Sequence, residues 1–356
     1  MVKIATQEYD YIPFEFHMIP LKTYNFSHMK VLVSGANGLL GAHVVRELLA
    51  NQYSVRAMVR EGSNLKSLDG LNIEFFKGEI TCRHDVEKAV CGCDFVIHAA
   101  ARTSQTPSGL KAFLKPNIIS TKYFIDACIK SGVKRFVFVS TANCFGNGTK
   151  ALPGNEQNTF LPWLKNSGYA YSKFLAQRMV LDESGNGRLD AVVVNPTFIL
   201  GAHDVKPSSG QIFSHILNKR LVFYPPGGKN FVDADEAAKG VANAMKYGRN
   251  GECYLLAGQN LSFREFYRLV EKTTGVKSVK IKLPGFVILV TGMAGSFIEK
   301  HFKKNVLLTK INARMICQGN YYQAGKAVAE LNFEFKPAEI PVKKSILWFL
   351  KNNYFI

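Results

Sequence analysis

Near the N-terminus a β-branched run, Lys30–Ser34, passes directly into Gly35-Ala36-Asn37-Gly38-Leu39-Leu40-Gly41, and these glycines open an amphipathic stretch, Leu39–Asn51. Further β-rich runs at Ser54–Val59, Ile73–Lys77, Asp94–His98 and Arg135–Val139 alternate with helical stretches such as Arg83–Val90 and Asn117–Ser131. Parallel neighbours need a crossover of about a dozen residues, usually a helix, so this alternation predicts an α/β fold built on a doubly wound parallel sheet. Ala191–Phe198 and Glu252–Leu256 are expected to extend the same sheet. The alternation fails over 200–231 and 261–356, which are assigned to a smaller C-terminal substrate-binding domain. Residues 29–199 and 232–260 then form the nucleotide-binding domain, and 1–28 an N-terminal extension ahead of Met29. Ligands of open α/β sheets sit beyond the carboxyl ends of the strands, so the substrate is expected between the two domains.

The glycines have separate tasks. Gly35 permits the tight turn, Gly38 lets the backbone approach a pyrophosphate, and Gly41 lets the helix pack on the strand. Free N–H groups at the helix start then face the phosphates, which predicts a dinucleotide cofactor. An NAD-preferring site usually has an Asp or Glu at the end of the second strand for the ribose 2′-hydroxyl. Val59 and Arg60 stand there instead, and a guanidinium pairs bidentately with a 2′-phosphate, so NADP is the expected cofactor. NAD stays open, because Glu61 follows and could take the hydroxyl.

Tyr169-Ala170-Tyr171-Ser172-Lys173 begins a helical stretch running to about Leu181, which puts Tyr169 and Lys173 one turn apart on one face. A free phenol titrates near ~10, too high for easy proton exchange at neutral pH, and a nearby ammonium lowers it. Ser140-Thr141, at the end of the fifth strand, offers a hydroxyl to orient a substrate oxygen. Asn117 heads the preceding helix, as a cap or as support for a proton relay, with the cap favoured.

With Val96-Ile97-His98-Ala99-Ala100 and Asn195-Pro196-Thr197, these segments resemble the extended short-chain dehydrogenase/reductase (NAD-dependent epimerase/dehydratase) family, from Met29 nearly to the C-terminus. The resemblance implies that Thr141 replaces the usual serine, that Tyr169 is the proton donor and that Lys173 is its partner. It also implies cofactor contacts from Gly35, Asn37, Gly38, Leu39, Leu40 and Gly41, from Arg60, and from Glu79 and Ile80, where the family commonly has an Asp in place of Glu79. Ala99, Ala100, Ala101, Asn117, Asn195, Pro196 and Thr197 complete the implied cofactor set. Val55–Arg60 and Gly228–Asp233 are similar to the branch of dihydroflavonol reductases, 3β-hydroxysteroid dehydrogenases and related carbonyl reductases. The implied reaction is hydride transfer between NADP(H) and a ketone, aldehyde or sterol-like alcohol. A nucleotide-sugar epimerase or dehydratase is the alternative, although the Arg-rich grip those enzymes usually show is absent. A non-catalytic NADP(H) sensor is the second alternative; such sensors commonly lack the tyrosine–lysine pair. A homodimer through the helices that include Tyr169–Leu181 is also implied.

The net charge of +18 is uneven: residues 271–356 hold 14 Lys and Arg against 5 Glu. No helix-turn-helix, zinc-finger or RNP-like pattern accompanies it, so the surplus is read as solubilising and no nucleic-acid partner is expected. Seven scattered cysteines lack paired zinc spacings, which predicts reduced thiols, no metal and a cytoplasmic location. Residues 1–28 lack the features of a signal peptide. Leu283–Ile298 is uncharged but only 16 residues long, short of the roughly 20 that a membrane span needs. It is expected to be a buried helix or pocket wall, with peripheral membrane contact aided by Lys300, Lys303 and Lys304 as the other reading. The apolar pocket is expected from Leu161–Leu164, Phe198–Leu200 and Phe286–Met293.

Overall fold

The computed structural model describes residues 29–104, 108–217, 219–302, 306 and 308–354. The expected extension at 1–28, together with Lys303 and Lys304, lies outside these described residues. The first half of the chain runs β1 (Lys30–Ser34), α1 (Leu39–Ala50), β2 (Ser54–Val59), β3 (Glu74–Lys77), α2 (Arg83–Val90), β4 (Phe95–His98), α3 (Lys111–Phe113), α4 (Ser120–Ser131), β5 (Arg135–Val139) and α5 (Gly168–Gly185). Then come β6 (Ala191–Pro196), β7 (Phe198–Leu200), β8 (Leu221–Tyr224), β9 (Gly228–Asp233), α6 (Ala234–Tyr247), β10 (Cys253–Leu256) and β11 (Gln259–Ser262). The last quarter holds α7 (Phe263–Thr274), β12 (Val279–Lys282), α8 (Gly285–Phe302), α9 (Lys310–Cys317), β13 (Gly319–Asn320), α10 (Gly325–Leu331) and α11 (Glu339–Lys351).

The expected doubly wound sheet forms. Seven strands in the order β10-β6-β5-β4-β1-β2-β3 are parallel throughout. Helices cover both faces, which is why β1 and β6 read as continuous apolar runs. Val31 and Val33 point into a core shared with α1 and α6, through Val44, Leu48 and Val241. Leu32, between them, points into the opposite core with Val86 of α2, Phe124 of α4 and Val180 of α5. The strand order reverses between β1 and β4, and that reversal opens the crevice in which ligands of such sheets bind.

A second sheet, in which β9 pairs with β7, β11 and β13, stands beyond the carboxyl edge of the first. It backs onto a third core in which Phe231 and Phe266 stack at 4.2 Å. The expected domain limits at 199, 231 and 260 fall inside β7, β9 and β11. The expected strand Ala191–Phe198 divides at Thr197, where Pro196 ends the pairing with the large sheet and β7 joins the small one. A prolyl nitrogen has no hydrogen to give to a ladder.

Two local expectations are corrected. The helix expected from Asn117 begins earlier, and Asn117 sits in a π-helical turn, Leu114–Ile119, between α3 and α4, so it caps nothing. The apolar run expected to be buried forms α8, of which only Ile288, Gly292 and Gly295 are buried. Gly292 packs on Ala313 and Gly295 on the Leu308 carbonyl, where an added Cβ would come within 2.5 and 2.0 Å, so the small residues face inward and the bulky ones outward.

Candidate active site

The glycine junction lies at the β1/β4 reversal. Gly35 has φ +71°, and a Cβ there would fall 2.7 Å from the Ala100 nitrogen; one on Gly41 would fall 2.1 Å from the Gly35 carbonyl oxygen. The loop therefore passes as close to the chain after β4 as backbone permits, and Ala100 N–H donates to Ser34 Oγ at 3.3 Å. Gly38 caps α1 without a side-chain acceptor, so the first-turn N–H groups of Leu39, Leu40 and Gly41 have none at the cap. Asn37 closes the loop from the side, donating to the Asn64 carbonyl at 3.1 Å. A bare helix start behind a cradle that any side chain would fill fits a dinucleotide pyrophosphate.

Arg60 is exposed just past β2, and no carboxylate among the described residues pairs with it. Glu61 is already bound by Lys77 at 3.0 Å. Glu79 is exposed, with its N–H given to Asp85 at 2.9 Å, while Ile80 packs against the second core. Ala99, Ala100 and Ala101 line the chain beyond β4, half-buried.

A second group gathers where β5 and β6 end. Ser167 caps α5 by accepting from the Ala170 N–H at 3.3 Å, and the helix carries Tyr169 and Lys173 on successive turns. Thr141 is the side chain that acts on the Tyr169 hydroxyl, lowering its pKa. Ser140 turns away to Cys144 at 3.3 Å, so of the two adjacent hydroxyls it is Thr141 that meets the tyrosine. Burial pushes the Tyr169 phenol up to about 12, against the lowering effect of Thr141. Lys173 is buried, donates to the Val139 carbonyl at 2.7 Å and lies 3.9 Å from the centre of the Phe138 ring. Burial pushes its pKa down to about 7. The expected lowering of the phenol by Lys173 is not what the geometry produces: the lysine's hydrogen bond goes to the backbone, and desolvation dominates at the tyrosine.

Asn117 serves this group through its carboxamide. It accepts from the Arg102 N–H at 2.7 Å and donates to Ser172 Oγ at 2.9 Å, and Ser172 in turn bonds the Tyr169 carbonyl at 2.8 Å. Asn195 donates to the Thr141 carbonyl at 2.9 Å and to Gln177 at 2.8 Å, and its buried Oδ1 has no partner among the described residues. Pro196 is buried beside it, and Thr197 Oγ1 donates to Asn230 Oδ1 at 2.7 Å, tying the large sheet to the small one.

His98 and a cavity beyond β5 escaped the sequence reading, whereas Lys229 is the cation that reading offers to the phosphates of a nucleotide sugar. His98, fully buried at the end of β4, shares a hydrogen with Ser34 Oγ at 2.7 Å and stacks on Phe124 at 4.2 Å. Its Nε2 has no partner among the described residues, and burial holds its pKa well below the usual imidazole range. Lys229 lies over the Phe198 ring at 4.8 Å with its pKa pushed down to about 8 by burial. A cavity of about 770 Å³ opens in the loop after β5, lined by Leu152, Leu161 and Trp163 but also by Asn147, Asn155 and Gln318. Of the expected pocket walls, Leu161 and Trp163 line this cavity, and Phe198–Leu200 and Phe286–Met293 do not. The Asn- and Gly-rich composition of 143–158 was the available signal.

A glycine cradle at the strand-order reversal, with a tyrosine, a lysine and a hydroxyl farther along the same edge, defines a Rossmann-type dehydrogenase or reductase. The chain belongs to the NAD dependent epimerase/dehydratase family, whose model matches residues 31–257. It is 27% identical over 331 residues to a putative dihydroflavonol 4-reductase of Synechocystis sp., covering 90% of this chain and 95% of that protein. It is 26% identical over 324 residues to sterol demethylase protein B of Methylococcus capsulatus, covering 90% and 98%. Among solved structures, a nucleoside-diphosphate-sugar epimerase from Pseudomonas aeruginosa matches with a TM-score of 0.73 at 27% identity, covering 92% of this chain and 99% of that one.

Proposed function

We propose that the protein transfers a hydride between NADP(H) and the carbonyl or carbinol carbon of a mainly apolar small molecule, a ketone, an aldehyde or a sterol-like alcohol. The observation that carries this reading is Tyr169, in the first turn of α5, set against Thr141 just past β5, with Lys173 buried one turn on. The nicotinamide supplies or accepts the hydride. Thr141 orients the substrate oxygen, and Tyr169 delivers its proton in reduction or removes it in oxidation. A phenol raised to about 12 holds its proton at neutral pH, which suits donation to a developing alkoxide. The remaining N–H donors of Lys173 are assigned to the nicotinamide ribose. Asn117 and Asn195 hold the helix and strand ends that carry these groups.

Gly35, Asn37, Gly38, Leu39, Leu40 and Gly41 are assigned to the pyrophosphate, Glu79 and Ile80 to the adenine, and Ala99–Ala101 with Asn195–Thr197 to the cofactor's remaining length. NADP is favoured over NAD because no carboxylate among the described residues pairs with Arg60, while Glu61 faces Lys77. The relatives' names, a putative dihydroflavonol 4-reductase and sterol demethylase protein B, support an apolar substrate. A nucleotide-sugar epimerase or dehydratase is the second reading, favoured by Lys229, a cation without a carboxylate partner among the described residues. We further propose a cytoplasmic homodimer joined through α5, on the family resemblance.

Cofactor consumption is to be measured against aromatic ketones, steroids, aliphatic β-keto acids, simple aldehydes and UDP- or dTDP-sugars. Turnover of an apolar carbonyl compound is expected, falling roughly 10²–10⁴-fold in Tyr169→Phe while cofactor affinity is kept. Turnover confined to the nucleotide sugars overturns the substrate class. A Tyr169→Phe enzyme keeping more than about a tenth of its rate overturns the acid/base assignment.

A further inference from the structure

Helix α8 reverses the usual amphipathic arrangement. Gly292 packs on α9 and Gly295 on the Leu308 carbonyl just before it, while Phe286, Val290, Phe297 and Phe302 are 70%, 56%, 57% and 63% exposed. The strand leading into α8 is exposed as well. Val279 and Ile281 of β12 stand opposite Leu221 and Phe223 of β8, all four exposed, while Val222 and Tyr224 between them enter the third core. An apolar area of this kind, carried on two adjoining elements, marks a contact surface.

The charge around it is one-sided. Between Glu271 and Glu330 the sequence carries ten Lys and Arg and a single carboxylate, Glu299. That carboxylate is withdrawn from the surface, because it accepts from both the N–H and the hydroxyl of Ser108. Exposed Lys219, Arg220, Lys277, Lys282, Lys300 and Lys310 flank the apolar elements. Bulky apolar side chains bordered by cations match the headgroup layer of an anionic bilayer, apolar below and negative at the surface. Two copies of the face brought together would instead oppose like charges. No helix among the described residues is long and apolar enough to cross a membrane.

We propose that α8 and the outer face of β8 and β12 dock on an anionic lipid bilayer, lying in its surface without crossing it. The Ser108 carbonyl that neighbours the Glu299 contact accepts the Gly168 N–H at 2.7 Å, immediately before Tyr169. Docking therefore holds the segment beside the reacting tyrosine close to lipid. For the apolar substrate proposed above, and resting on that reading, this provides entry from the bilayer without passage through water.

The test is co-sedimentation of the purified full chain with phosphatidylcholine vesicles containing about 30% phosphatidylglycerol. Binding is expected, at least about tenfold weaker to vesicles of phosphatidylcholine alone. It should fall similarly in Phe286→Asp/Val290→Asp/Phe297→Asp, with melting temperature and NADPH binding retained as evidence of folding. Failure of the full chain to bind, or equal binding by the triple variant, overturns the proposal. Self-association that the triple variant abolishes, without vesicle binding, assigns the face to a second copy instead. Turnover measured without lipid tests hydride transfer separately, so either result stands without the other.

Discussion

Arg60 and Glu61 are neighbours in sequence but not in circumstance. The carboxylate faces Lys77 in an exposed pair, and no carboxylate among the described residues engages the guanidinium. Arg60→Asp is therefore expected to weaken NADPH binding at least about tenfold more than NADH binding, read by fluorescence titration of both cofactors, since only NADPH carries the charge Arg60 would neutralise. Equal losses would return the ribose to Glu61. Lys173 makes a different prediction. Its pKa falls from 10.5 to about 7 on folding, so between those values the unfolded chain carries a proton that the folded chain does not. Its contribution is fully present above 10.5 and is lost as pH falls toward about 7, so stability rises with pH across that window. Lys173→Met should flatten the rise in melting temperature between about pH 7 and 8.5 by roughly 2 °C, below the range in which the raised thiols titrate. An unchanged slope would mean that the lysine stays charged. The Tyr169–Lys173 spacing was legible because a helix fixes it. The direction of the phenol's shift was not, because it depends on burial and on where the ammonium's hydrogen bond goes. Asn117 was misread for a related reason: a π turn has no mark in the residue types that compose it.

Elements were legible where a physical rule ties sequence to shape. The strand-to-helix glycines are one case, and Gly41 gives the sharpest test: the methyl added in Gly41→Ala would lie 2.1 Å from a backbone oxygen that cannot swing aside. Cofactor affinity is expected to fall at least about tenfold and the melting temperature by several degrees, measured by titration and thermal melt. Gly185→Ala, whose methyl meets nothing within 4 Å, should change neither. The parallel strands were legible as well, because burial on both faces demands unbroken apolar runs. Helix α8 was not: hydrophobicity alone cannot say whether a run is covered by the protein, and here the small residues took the inner face. The break at Thr197 was also hidden, since β6 and β7 share one β-prone composition and only Pro196 hints at the change of sheet.

At the scale of the molecule, sedimentation velocity at micromolar concentration is expected to give about twice the 39.6 kDa chain mass, with a monomer overturning the proposed homodimer. Leu161 and Trp163 of the 770 Å³ cavity were legible, but its closure was beyond sequence reasoning because it depends on contacts between distant segments. Tyr321 accepts from the N–H groups of Gly148 and Gly154 at 3.1 and 3.0 Å, Gln323 N–H donates to Gly154 at 3.0 Å, and Gly319 accepts from Asn147. Those clamps give the fold an order in time. A ribosome releases the chain from its N-terminus, and domains form as they emerge. The seven-stranded sheet has its last strand at Leu256, whereas the loop bordering the cavity waits for residues 319–323. A growing polypeptide thus finishes the glycine cradle of the large sheet while the far wall of the cavity, at Gln318 and Gly319, is still unmade.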